Sequence, residues 1–266
     1  MRILRFTLLS LIATAAAIAP AQGRLIAVDS SRVLYDIDMA TGARTAFGTI
    51  SSNAGTTAGL AYDSATGTMY VPSSSNDSLF TVDLTTGAAT LVGAFGNSTI
   101  VMHGLEWDDS TGTLYGVSGA STNQNTYRIN TTTGAATAFG NTGLLSFNNL
   151  GYNSITDTMY MTNSGTDSFY NFNRTTGVPT LIGALGGPTN PNGLAYNVDN
   201  GLMYMVDNNT DSLYTIDMGT GAATLIGSTG SGNLLGLAYL PVPEPASMVA
   251  LGLGAAGLLA RRRRKA

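Results

Sequence analysis

The stretch GLAYDSATGTMYVPSSSNDSLFTVDLTTGAATLVG, Gly59 to Gly93, is written five times along the chain. Four short apolar runs, GLAY, TMYV, SLFTVD and AATLVG, are separated by DSATG, a Ser/Asn/Asp segment and LTTG. Runs of this length rich in Val, Ile, Leu, Tyr and Phe, bounded by Gly, Asp, Asn and Ser, read as strands joined by hairpins. Asp63 caps the first turn through its side chain, and Gly67 supplies the positive φ that a tight turn needs. Each unit is therefore a four-stranded antiparallel meander.

The copies keep register. The first run recurs at Gly59, Gly104, Asn149, Gly193 and Gly236, with spacings of 45, 45, 44 and 43. The third run carries Tyr35, Phe80, Tyr127, Tyr170 and Tyr214, each followed three residues later by Asp or Asn. A period in the forties with four strands per period predicts an all-β fold, a five-bladed β-propeller. Solenoid coils are much shorter, and a β-sandwich gives no reason for fivefold self-similarity.

The strand tally predicts how the ring closes. The first copy starts at Leu25 with its second strand and has no GLAY of its own, whereas a spare Gly236-Leu237-Ala238-Tyr239 follows the fifth copy. Those residues are expected to fill the innermost place of the N-terminal blade, so that no sheet edge stays open at the seam.

Both ends of the chain depart from the repeat. Residues 1–21 read as a signal peptide: Arg2 and Arg5 precede an apolar run from Phe6 to Ala19, and Ala19-Pro20-Ala21 is a small-x-small cleavage site. The propeller is assigned to residues 22–240. At 241–266 follow Pro243-Glu244-Pro245, an uncharged Leu/Gly/Ala run at 246–260, and Arg261, Arg262, Arg263, Arg264 and Lys265. Fifteen helical residues cover about 22 Å against a hydrocarbon core of about 30 Å, a short span. The basic cluster stays cytoplasmic, which leaves the propeller on the outer side.

This order of Pro-Glu-Pro, short apolar helix and terminal arginines resembles the PEP-CTERM sorting signal. The resemblance implies general secretory export, transient inner-membrane anchoring by the tail, cleavage near Pro243-Glu244-Pro245 by an exosortase, and release to the cell surface or extracellular matrix. The blades, as in Gly193-Leu194-Ala195-Tyr196 before Leu202-Met203-Tyr204-Met205-Val206, are similar in pattern to bacterial YVTN-like and NHL-like propellers. That likeness implies fold and strand order and leaves function open.

Composition narrows the partners. Between residues 22 and 240 five arginines face fifteen carboxylates, a net of −10, so the body lacks the basic face that nucleic acid requires. There is no cysteine, which removes thiol catalysis and Cys-ligated metal. Core burial and ring closure are left to stabilise an expected monomer.

For a site, the loops are informative. The first-to-second and third-to-fourth turns repeat almost verbatim, while the second-to-third turns and blade connections vary, and the variable face is where a ligand site is expected. One copy differs, Met102-His103-Gly104-Leu105-Glu106-Trp107: it holds the chain's single His and single Trp, and Glu106 replaces an Ala. His103 is expected at the mouth of the central channel, as an acid–base group, a metal ligand or a structural side chain. Trp107 falls in the core aromatic column of Tyr62, Tyr152, Tyr196 and Tyr239. Asp207, Asn209 and Asp211 place oxygens at alternate positions as a calcium loop does, but they lack its Gly and distant Glu. Because Asp77, Asp167 and Asp211 share one position before Ser, a plain hairpin explains the pattern as well. No catalytic dyad assembles. The reading is a non-catalytic surface propeller that binds exopolysaccharide or another surface protein; the alternative is an extracellular lyase or hydrolase acting on a polymer at the variable face.

Overall fold

A computed structural model describes residues 23–119 and 121–242. Residues 1–21, read as a signal peptide, and Pro243-Glu244-Pro245, the apolar run and the basic cluster lie outside the described residues.

Twenty strands form five four-stranded antiparallel sheets. The chain begins with β1 (Arg24–Asp29), β2 (Val33–Ile37) and β3 (Arg44–Thr49). Blade 2 is β4 (Ala61–Asp63), β5 (Thr68–Ser73), β6 (Ser78–Val82) and β7 (Ala89–Ala94). Blade 3 is β8 (Met102–Asp108), β9 (Thr113–Ser118), β10 (Asn125–Ile129) and β11 (Ala136–Asn141). Blade 4 is β12 (Asn148–Asn153), β13 (Thr158–Asn163), β14 (Ser168–Phe172) and β15 (Pro179–Ala184). Blade 5 is β16 (Pro191–Asn197), β17 (Leu202–Asp207), β18 (Ser212–Ile216) and β19 (Ala223–Ser228), and β20 (Leu234–Leu240) ends the set.

β20 pairs antiparallel with β1, in the register Leu25 with Tyr239, Ile26 with Ala238, Ala27 with Leu237 and Val28 with Gly236. Blade 1 is thus β20-β1-β2-β3, as the tally predicts, and the innermost strands β4, β8, β12, β16 and β20 touch one another in cyclic order.

The core is five layers, one between each pair of neighbouring blades. Strand alternation sends successive side chains of one strand into different layers. In β1, Ile26 and Val28 pack towards blade 2 with Leu60, Met69 and Val71, whereas Leu25 and Ala27 pack towards blade 5 with Tyr204, Val206 and Leu213. Burying a side chain of this size contributes about 1.5–3 kcal/mol, so each inter-blade layer outweighs any single hairpin.

The repeated turns are repeated for structural reasons. In blade 2, Asp63 Oδ1 accepts the backbone N–H of Ala65 at 3.0 Å, its Oδ2 accepts the Thr66 hydroxyl at 2.7 Å, and Gly67 sits at φ 72°. Because the sheets twist from axis to rim, the third-to-fourth turns swing outward and rest on the end of the preceding blade's outer strand. At the seam, Gly42 has φ 79°, and a Cβ there falls 2.6 Å from the carbonyl oxygen of Gly227 in β19. Any side chain at Gly42 forces blades 1 and 5 apart.

Candidate functional site

Each innermost strand runs along the axis, and backbone contact pinches that axis. A Cβ on Gly59 falls 2.5 Å from the His103 carbonyl oxygen, and one on Gly104 falls 2.5 Å from that of Asn148. The pinch separates two axial ends with different chemistry.

The variable-loop end contains His103. Its ring is buried, 5% exposed, and stacks on Phe147 with centroids 4.2 Å apart. Burial pushes the imidazole pKa down to about 4, although bonds to the Asn148 backbone and the Asn149 side chain work in the other direction. The imidazole is neutral at pH 7, and its Nδ1 has no hydrogen-bond partner among the described residues. The channel mouth expected at His103 is covered by Phe147, which is itself 43% exposed. Val101, also exposed, adjoins it through Gly119, whose N–H donates to the Val101 carbonyl and where a Cβ meets the Phe147 ring at 2.8 Å; Leu145, exposed as well, lies two residues before Phe147 in the same connection. The result is an exposed apolar patch with an aromatic ring at its centre.

Asp207, Asn209 and Asp211 lie on the same face, in the second-to-third hairpin of blade 5. Asp207 is buried at the end of β17. Its Oδ1 accepts the N–H groups of Asn209 and Thr210, at 3.1 and 2.9 Å, and the Thr210 hydroxyl at 2.9 Å. Its Oδ2 accepts the Asn190 N–H at 2.6 Å and ties the hairpin to the blade connection. Asn209 donates to Thr189 at 2.8 Å, and Asp211 holds the positive φ of the turn, 48°. Asn163 does the same in blade 4, accepting Gly165 and Thr166 N–H groups. These are hairpin duties. Among the described residues, no three or more His, Asp or Glu side chains are grouped to hold a metal.

Glu106 is on the other side of the pinch. Three residues of extended strand separate it from His103, about 10 Å, so the two do not share a site. A cavity of about 60 Å³ opens there on the axis, lined by Glu106, Trp107, Tyr62, Tyr152, Tyr196 and Tyr239, with Ser64, Asp109, Ser154 and Pro241 around the mouth. Trp107 is half-buried rather than enclosed, and it stacks on Tyr70 with centroids 6.1 Å apart. Glu106 is half-buried and lines the cavity, and its Oε1 accepts the Trp107 backbone N–H at 3.0 Å. Burial raises its pKa well above the ordinary carboxylate value, against the Trp107 bond and with help from the nearby Asp109 charge.

The sign of that shift gives a test. A carboxyl raised above 4.5 in the fold is held protonated there, so stability is greatest below pH 4.5 and declines as pH rises towards the folded value. Glu106→Gln keeps the acceptor without the charge. Its melting temperature should rise relative to the parent between pH 5 and 8 and converge with it near pH 4; a gap independent of pH would mean that the carboxyl is solvated in the fold.

Which end the tail occupies is decided by β20. It runs from the variable face to the Glu106 end, and Pro241 follows at the cavity mouth. Its partner β1 starts there as well, since Arg24 pairs with Leu240. Where the other four blades have a covalent first-to-second turn, blade 1 has the two ends of the described chain.

Residues 241–265 match the PEP-CTERM protein-sorting motif. No curated protein matches the chain. Among solved structures, the chain resembles one titled "Crystal structure of Nidogen/Laminin Complex" at 15% identity and a TM-score of 0.57, over 82% of this chain and 98% of that one. TolB from Acinetobacter baumannii aligns at 12% identity and a TM-score of 0.52, over 79% of this chain and 54% of that one. A symmetrical protein, from work titled "The de novo evolutionary emergence of a symmetrical protein is shaped by folding constraints", aligns at 17% identity and 0.53, over 84% and 100%. At these identities the likeness is one of fold alone. The motif implies export with a membrane-anchoring tail and processing by an exosortase.

Proposed function

We propose that this is an exported, non-catalytic propeller that binds a polymer of the cell surface or exopolysaccharide matrix through its variable-loop face. The observation that carries the reading is the opposition of the two axial ends. The tail leaves beside Glu106, and the exposed patch of Val101, Leu145 and Phe147 looks the other way. A protein tethered through that tail presents Phe147 outward. Contiguous apolar surface of this kind marks interaction sites. One face of the Phe147 ring rests on His103, which leaves the other as a flat apolar platform for the C–H face of a sugar ring. The hairpin of Asp207, Asn209 and Asp211 supplies polar groups on the same face.

The lyase or hydrolase reading needs convergent acid, base or cation groups there. His103 is covered and Asp207 is committed to its turn, which favours binding over turnover. The test is a glycan-array and turnover screen with the 22–240 propeller. Binding without release of new chain ends is expected, and Phe147→Ala, which also uncovers His103, should weaken it by about tenfold or more, roughly 1.4 kcal/mol, in a chain that still folds at pH 7. Release of oligosaccharides would favour the enzyme instead, and undiminished binding by Phe147→Ala would move the site elsewhere.

A further inference from the structure

We infer that the tail-side face, formed by the first-to-second turns around the axial cavity and the split end of blade 1, is the docking face for the membrane-embedded enzyme that engages Pro243-Glu244-Pro245. The inference rests on the processing reading and adds where that enzyme meets the propeller.

The argument is one of reach. β20 ends at Leu240, and Pro241 already belongs to the cavity wall. A chain spans at most about 3.3–3.6 Å per residue, so Pro243 lies within about 7 Å of Pro241 and Pro245 within about 14 Å. One helix with its side chains is about 10–12 Å across. A cleft walled by helices therefore cannot close round Pro243-Glu244-Pro245 without touching the turns beside Pro241. The described chain also starts at this edge, where Gly23 is seated under Tyr239, whose hydroxyl lies 2.0 Å from where a Cβ on Gly23 would stand.

That face is preformed and acidic. Asp63 and Asp108 hold their turns by side-chain bonds to the backbone, and the Ser64 hydroxyl reaches across to Asp109 of the next blade at 3.1 Å. Asp109 and Asp199 are exposed, whereas the nearby Arg174 is committed to Asp108 and Asp157. The complementary surface is basic and rich in hydrogen-bond donors.

The experiment follows processing of the full chain in cells that contain the sorting enzyme. Ala65→Arg with Ser154→Arg adds two positive charges and bulk beside the mouth; Thr122→Arg, on the variable face, is the control. Processing should slow about tenfold in the double variant and stay at the parent rate in the control. A flexible Gly/Ser insertion of about twelve residues between Pro241 and Val242 adds about 17–21 Å of reach and should restore the rate. Parent-like processing of the double variant, or failure of the insertion to restore it, overturns the inference; an unprocessed parent chain overturns the processing reading itself. A photocrosslinker at position 154 gives a readout independent of folding losses: it should capture the enzyme in the parent background, and capture from position 122 instead would reverse the docking face.

Discussion

Truncation at Gly232, which removes β20, should convert the closed ring into an opened or aggregating chain, whereas a chain ending at Leu240 stays closed. Leu234, Leu237 and Tyr239 are all buried, 1%, 2% and 8% exposed. At about 1.5–3 kcal/mol each they contribute roughly 5–9 kcal/mol, against a total stability of about 5–15 kcal/mol for a typical domain. The loss also exposes the β1 edge, with six paired positions from Arg24 to Asp29 left without partners. Size-exclusion chromatography and a thermal melt decide the matter. A truncated chain with the melting temperature and hydrodynamic size of the longer one would falsify the seam.

The second large effect is acid sensitivity through His103. Its pKa falls from 6.5 to about 4 because the ring is buried beneath Phe147. The unfolded chain binds a proton below pH 6.5 that the folded one refuses. Stability from this group is therefore complete above pH 6.5 and is lost as pH falls from there towards 4, to a total of about 3 kcal/mol. His103→Gln should be the less stable protein at pH 7 yet show a flatter decline between pH 6.5 and 4. Denaturant melts across that window test it, and parallel slopes for the two proteins would place the imidazole in contact with water.

Fold was legible because each level of the sequence repeats the same statement. Asp63 and Gly67 specify a turn, the alternation in LIAV specifies a two-sided strand, and five copies with one displaced strand specify a closed ring. The site was less so. The contrast between constant and variable turns reads as a contrast between scaffold and binding surface. That holds for the third-to-fourth turns, which are fixed because Gly42 and its equivalents carry backbone contacts between blades. It fails to foresee the cavity at the constant end, since a cavity is what five innermost strands leave between them and no single copy contains it. Glu106 was visible as an odd residue in an Ala column, but whether it faced His103 or turned away depended on the pinch at Gly59 and Gly104. Phe147 carried no signal in the repeat pattern, because it lies in a blade connection where the copies do not align.

Blade 1 is assembled from segments that the chain holds far apart. Arg24 and Leu240 pair across a separation of 216 residues, so closing that loop costs about (3/2)RT ln n, close to 5 kcal/mol before any contact compensates, while each hairpin within a blade closes over only a few residues. The burial of Leu234, Leu237 and Tyr239, roughly 5–9 kcal/mol, matches or exceeds that cost. Four blades are local objects, able to form as soon as their forty-odd residues are available, and the fifth is a global one. In time as well as in space the seam comes last: a chain crossing a membrane from its N-terminus has β1 waiting beside β2 with one open edge until the final strand arrives, and the ring exists only from that moment.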